Sequence, residues 1–179
     1  VHPKRLLLLS LLAACAAPAA LAQAWPSKPI RIIVPYSPGG SSDIIARAIS
    51  QPLSEALKQT VIVENKPGAN GNTGTDAVAK ANDGHTLLLA TSSTHSIGPA
   101  LNPKMPYDAF KGFAPIAHVA NAPSVLVVGA GFPKGNALDL IKMLKANPGK
   151  YNFGSSGIGT YPHLSAEMFK WRAVGLFVM

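Results

Sequence analysis

The sequence predicts an α/β protein with two parallel-sheet lobes around a cleft. Three observations carry that expectation. Between residues 30 and 91, short runs rich in β-branched residues alternate with longer segments of helical period. The alternation restarts near residue 114. Gly-Ser loops stand where a strand should hand over to a helix, once at 35–43 (PYSPGGSSD) and again at 154–160 (GSSGIGT).

The first two dozen residues read as a leader outside the fold. Lys4 and Arg5 form a basic n-region, and residues 6–17 an apolar h-region too short to span a bilayer comfortably. Small residues follow, and both Ala20/Ala22 and Ala22/Ala24 satisfy the small-x-small rule for signal peptidase. Export is expected, with a mature start near Gln23 or Trp25. The sequence Leu12-Ala-Ala-Cys15 resembles a bacterial lipobox, whose cysteine would be lipidated. The later Ala-x-Ala sites favour Cys15 as an apolar residue of the h-region. Cys15 is the chain's one cysteine, so its removal would exclude disulfides, a thiol nucleophile and Cys-ligated metal from the mature protein.

Beyond the leader, 14 Lys and Arg face 8 Asp and Glu, a net charge of +6. The bases stand singly, among them Lys28, Arg31, Arg47, Lys58, Lys66, Lys80, Lys104 and Lys111. A nucleic-acid surface concentrates charge and adds a docking motif, and neither occurs, so no nucleic-acid partner is expected. Scattered lysines read as a solvated face that modestly favours the arrival of anions. About 155 mature residues are a comfortable size for one domain.

Each element follows from its residues. IRIIVPY (30–36) is a strand. DIIARAISQPLSEALK (43–58) is a helix with Ile44, Ile45, Ala48, Ile49, Leu53 and Leu57 near one face, and Pro52 is expected to kink it. TVIVENK (60–66) is the second strand, PGANGNTG (67–74) a Gly-rich turn, and 75–81 a helix with Ala77 and Val78 inward. TLLLAT (86–91) is the third strand, after which SSTHS opens a short helix. Strand-helix-strand order predicts a parallel sheet with right-handed crossovers. In the second half, APIAHVA (114–120), PSVLVVG (123–129) and YNFGSSG (151–157) are expected strands. Residues 137–147 form a helix with Leu138, Ile141 and Leu144 inward, ended by Pro148-Gly149. The crossover between lobes falls near 119–124. This gives a leader at 1–24, lobe one at 25–120 and lobe two at 121–179.

The two Gly-Ser loops carry the chemistry. Each follows a strand, opens a helix, and offers backbone N–H groups and hydroxyls at the positive end of a helix dipole. Ordinary N-capping by Ser42 or Thr160 would leave the same pattern in either loop alone. Two such loops on opposite sides of a crossover suggest a ligand with two anionic ends in the cleft.

Several stretches together resemble the substrate-binding proteins of tripartite tricarboxylate transporters, the Bug family: WPSKPIRIIVPYSPGGSSDIIAR, VENKPGANGNTGTDAVAKANDGHTLLLAT, MPYDAFKGFAPIAHVA and FGSSGIGTYPHLSAEMFK. The resemblance covers 25–170 in order. It implies a two-lobed type II periplasmic-binding-protein fold, a periplasmic location, capture of a small di- or tricarboxylate or related organic acid, and delivery to membrane permease subunits; a monomer is expected if the chain folds. No cofactor and no metal are expected. Carried over by residue, lobe one would bind through Tyr36, Ser37, Gly39, Gly40, Ser41 and Ser42, with Thr91, Ser92 and Ser93 from the loop after the third strand. Lobe two would use Ser155, Ser156, Gly157, Gly159 and Thr160. Backbone donors suit this task, because they hold a carboxylate without a counter-charge and release it on opening. Asp43 is more ambiguous: it either serves the helix N-terminus or faces a ligand amino group or a bridging water.

The family's chains run to roughly double this length, and the match ends near Lys170. The tail reads WRAVGLFVM, where the family continues with Ala-Gly-Val-Asp and Val-His-Val-Pro-Tyr-Lys-Gly. A frameshift or premature stop would produce such a tail. The expectation is an incomplete second lobe that exposes strand edges and apolar surface, with binding impaired.

Two other function classes make definite demands. A serine hydrolase could draw on Ser155 or Ser156 with His163 and Asp139, but Ile158 stands where a Gly-x-Ser-x-Gly elbow needs glycine. Pro162 likewise spoils a Gly-x-Gly-x-x-Gly fingerprint. His85, His95, His118 and His163 show no metal spacing. A solute sensor docking on a signalling partner would use the same cleft as a transport receptor.

Overall fold

The computed structural model describes residues 25–133 and 135–174. The leader with Cys15 and its Ala-x-Ala sites, and the last residues of the tail, lie outside the described residues.

The first unit is a three-stranded parallel sheet in the order β2-β1-β3, with β1 at Ile30–Val34, β2 at Val61–Asn65 and β3 at Thr86–Leu88. Ile30 pairs with Val61 across β1 and β2, and Arg31 with Thr86 across β1 and β3. The central strand is the most apolar, and Ile30, Ile32, Ile33 and Val34 are all buried. A strand covered on both faces reads as a continuous apolar run rather than an alternating one.

Helix α1 (Ser41–Leu57) joins β1 to β2, and α2 (Asn72–Ala79) joins β2 to β3. The chain crosses in opposite directions in the two connections, so right-handed crossovers place the helices on opposite faces of the sheet. α1 lies on the face of Ile32 and Val34, with Ala46 at the centre and Ile49 and Leu53 around it. α2 packs on β1 and β3 and buries Thr75 and Val78. α1 continues through Pro52 to a C-cap at Lys58.

The inward face of α1 differs from the one its apolar residues predict. Asp43 and Ala46 are buried, whereas Ile44 is 61% exposed. Ala48 is exposed as well. The buried stripe runs through 43, 46, 49 and 53, and a buried carboxylate within it shifts the register by one residue. α2 shows a similar correction: Gly74, Thr75 and Val78 are buried, and Ala77 is half-buried.

After β3 the chain forms a π-helical turn at Ser93–Ile97 and a short helix, α3, at Gly98–Leu101. The second half contains α4 (Ala137–Ala146), α5 (Tyr161–Phe169) and a π-helical segment at Lys170–Val174. Asn136 caps α4 by a reciprocal box, accepting from Leu138 N and Asp139 N while Asp139 accepts from Asn136 N. Leu144 is buried, but Leu138 is 66% exposed rather than inward.

The strands expected at 114–120, 123–129 and 151–157 do not form among the described residues. These segments run without ladder partners, and Val125 and Val127 are 79% and 76% exposed. The residues have β-propensity, but a parallel strand exists only beside another strand. The second sheet is therefore absent among the described residues.

Candidate functional site

Ligand sites in parallel α/β sheets gather at the carboxyl ends of the strands. Here those ends carry the loops after β1, β2 and β3, and the 154–160 loop lies against them.

The loop after β1 leads through Tyr36 to Gly40, the N-cap of α1. Gly39 has φ +85°, a left-handed conformation that favours glycine. Gly40 has no side chain, and the helix has no side-chain cap. The N–H groups of Ser41, Ser42 and Asp43 thus begin a helix without acceptors of their own. Ser37, Gly39, Gly40 and Ser41 are exposed, and Ser42 is half-buried. Capping by Ser42, the simpler sequence reading, does not occur, because Ser42 lies inside the first turn.

Asp43 is buried. One carboxylate oxygen accepts from Gly39 N at 2.9 Å, the other from Asn65 Nδ2 at 3.0 Å, and Arg47 Nε reaches both at 3.0 Å. Asn65 Nδ2 also donates to Tyr36 O at 3.1 Å, and Arg47 Nη2 donates to Asn65 Oδ1 at 3.1 Å. These bonds tie the β1 loop to the end of β2. The Arg47 hydrogen bond, then the Gly39 amide, hold the Asp43 carboxyl down at about 2. With both oxygens engaged and Arg47 balancing the charge, Asp43 braces the loop.

The loops after β1 and β3 meet at Tyr36 Oη and Thr91 Oγ1, 2.7 Å apart. Ser92 is exposed and Ser93 buried. Thr94 Oγ1 donates to Thr91 O at 3.1 Å and lies 2.9 Å from His95 Nδ1. His95 packs edge-on to Phe113, and burial pushes its imidazole down. The turn after β2, Ala69–Gly71, closes the group. Gly71 has φ +93°, and a Cβ there would stand 2.8 Å from Thr94 Cγ2 and 3.2 Å from the Tyr36 ring.

The 154–160 loop is largely bonded within itself. Thr160 Oγ1 donates to Gly157 O at 2.6 Å, Ser156 Oγ donates to Thr160 Oγ1 at 3.2 Å, and Gly159 N donates to His163 Nδ1 at 3.3 Å. Thr160 is the N-cap of α5, but its side chain makes no cap bond. The cap comes from the first unit, where Ser93 Oγ accepts from Tyr161 N at 3.1 Å. Asn70 Nδ2 donates to Ile158 O. The structure thus brings Tyr36, Thr91, Ser93 and the second Gly-Ser loop together. Ser37, Ser92, Ser155 and Ser156 sit on its exposed margin.

Four participants escaped the sequence reading: Arg47, Asn65, Asn70 and Thr94. Asn70 left one signal, an asparagine within a Gly-rich turn, which suits its left-handed φ of +57°. The imagined hydrolase set does not assemble. His163 is engaged with Gly159 N, and Asp139 with Asn136 N. Among the described residues no group of His, Cys, Asp and Glu could hold a metal ion.

Comparison with known proteins gives a consistent picture. A family model described as tripartite tricarboxylate transporter family receptor matches residues 45–179. A UPF0065 protein of Bordetella pertussis is 42% identical over 165 residues, 92% of this chain and 50% of that protein. Protein BugT of the same organism is 41% identical over 153 residues, 84% of this chain and 47% of its own. A solved periplasmic transporter is 46% identical with a TM-score of 0.82, over 87% of this chain and 52% of its own. R. palustris Rpa4515, solved with adipate, is 32% identical with a TM-score of 0.81, over 86% and 52%. The periplasmic binding protein BugD is 32% identical with a TM-score of 0.73, over 87% and 52%. The chain spans about half the length of the curated relatives it matches.

Proposed function

The chain belongs to the tripartite tricarboxylate transporter receptor family, and from that premise we propose that it serves as a periplasmic solute receptor for a small carboxylate. The family is one of receptors and binding proteins, not enzymes. Residues 25–120 supply lobe one, and 121–179 supply part of lobe two. The carboxylate is held between the loop of Tyr36, Ser37, Gly39, Gly40, Ser41 and Ser42, the loop of Thr91 and Ser92, and the loop of Ser155, Ser156, Gly157, Gly159 and Thr160. Export by the leader, with cleavage near Ala22 or Ala24, brings the receptor to its membrane permease partners as a monomer.

The observation that carries this reading is the uncapped start of α1. Gly40 leaves the first-turn amides without a side-chain acceptor, at the carboxyl end of a central parallel strand. Such a terminus attracts an anion through N–H groups and dipole alike. A bound carboxylate keeps its charge there and needs no lysine or arginine. Adipate, seen with one relative, is a suitable probe.

The test is calorimetric titration of adipate into the 179-residue chain. Saturable one-to-one binding is expected. Ser41→Pro removes the first amide at a position where proline fits the helix, and Gly40 before it is already extended. This variant is expected to bind about tenfold more weakly, the loss of one charge-assisted bond, while Ser41→Ala loses less. No saturable binding by the parent, or an unchanged affinity in Ser41→Pro, would sink the reading.

A further inference from the structure

We propose that Asn70 and Ser93 are positioning residues that latch the 154–161 segment onto the ends of β1 and β3, and that this latch sets how fast a ligand enters and leaves. The kinetic half of the proposal rests on the receptor reading above. The latch itself rests on geometry alone.

Two bonds cross between the halves of the chain at this place. Asn70 Nδ2 donates to Ile158 O, 88 residues away in sequence. Tyr161 N donates to Ser93 Oγ at 3.1 Å, across 68 residues. They come from separate elements, the turn after β2 and the loop after β3, so they hold the segment at two points.

The backbone on both sides is shaped for the Asn70 contact. Asn70 holds φ +57° and Gly157 φ +129°. A Cβ at 157 would stand 2.5 Å from Asn70 Oδ1, so another residue there would be strained by its φ and would displace the Asn70 amide. The Asn70 turn has a fixed seat of its own, because Gly71 lies close against Thr94 and the Tyr36 ring.

Ser93 has a different part. The Tyr161 amide is the first of α5, and α5 has no cap from its own N-cap residue. Ser93 therefore places its oxygen where a ligand oxygen would otherwise be drawn. Ser93 is buried, and its hydroxyl oxygen accepts from Tyr161 N while its O–H keeps a hydrogen to donate. Ser93 thus has an acceptor role in the closure of the site, beside the donor role the resemblance implies.

The segment should swing as one piece, because Ser156, Gly157, Thr160 and His163 bond within it. Two ordinary hydrogen bonds each shift an opening equilibrium by roughly three- to tenfold. A ligand present in both the latched and the variant complex gains entry and exit together when the latch is removed.

The first measurement is amide hydrogen exchange on the 179-residue chain without ligand. Asn70→Asp keeps a residue that tolerates the left-handed turn but replaces the donor with an acceptor. Ser93→Ala removes the cap. Each is expected to speed exchange at 157–161 by about tenfold, with exchange at 30–65 unchanged. Parent rates at 157–161 in both variants would overturn the latch. So would equal acceleration at 30–65, which marks global loosening.

The second measurement is stopped-flow binding of adipate. Association and dissociation should both quicken at least about threefold in the variants, with the dissociation constant changed less than either rate. Unchanged rates beside accelerated exchange would overturn the kinetic half. Absence of adipate binding in the parent, with exchange still responding to both variants, would leave the latch standing and remove the carboxylate reading.

Discussion

Asp43 accepts from Gly39, Arg47 and Asn65 at once, and those bonds are strongest while it is ionised. Its folded value of about 2 lies below the ordinary 3.8, so the folded chain resists its protonation. The stability it contributes is complete above about pH 4 and drains away as pH falls through about 2. Asp83 shares the sign, held well below the usual range by the His85 amide first and then by Thr86 and Lys28. Urea unfolding between about pH 5 and 2 should therefore show a midpoint that falls with acid. Asp43→Asn should show a lower midpoint at the upper end of that range and a shallower fall. Identical slopes for parent and variant would mean that the Arg47 and Asn65 contacts do not persist in solution. The same residue shows why the acid was hard to read from the sequence. Its spacing from Arg47 is an ordinary i,i+4 pair, but its third partner, Asn65, is brought in only by the pairing of β1 with β2.

At the scale of an element, α1 ends on Lys58 with φ +52° and its N–H directed to Glu55 O. Gln59 N bonds Ser54 O at 3.2 Å, which completes a left-handed C-terminal closure. Glycine has no steric cost in that conformation, so Lys58→Gly should raise stability by about 0.5–1 kcal/mol in urea unfolding. A lower midpoint would show that the lysine stem packs on the helix enough to outweigh its backbone. The boundaries of α1, β1 and β2 were legible to within a few residues, because apolar period and turn residues agree there. The inward face of α1 was not. Ile44 and Asp43 are neighbours in sequence, and side-chain polarity alone favours burying the isoleucine. The hydrogen bonds of Asp43 reverse that choice, and Ile44 goes to the surface.

For the whole molecule, the two halves differ in how their backbone is satisfied. Residues 30–101 form a sheet flanked by helices on both faces. Residues 112–133 contain no charged side chain and run without ladder partners, with Ile116, Val125, Leu126 and Val127 exposed. A hollow of about 250 Å³ opens between Leu126, Val128 and α4, well away in sequence from the Gly-Ser loops. Proteases need an exposed extended stretch to cut. Thermolysin should therefore cleave first within 114–130 and leave a fragment that retains β1 through α3. Mass spectrometry of early digests checks this, and first cuts within 30–101 would contradict the arrangement.

The sequence by itself determined the order of elements in the first unit, the parallel sheet, the two Gly-Ser loops and the family. Those features rest on local period, turn chemistry and motif, all of which lie within a few neighbouring residues. Tertiary structure decided the rest. It gave Asp43 its partners from β2, set Ser93 on the amide of Tyr161, and brought Asn70 to Ile158. It also left 114–129 without strands, since hydrogen-bonded pairing needs a neighbour that no local pattern can provide.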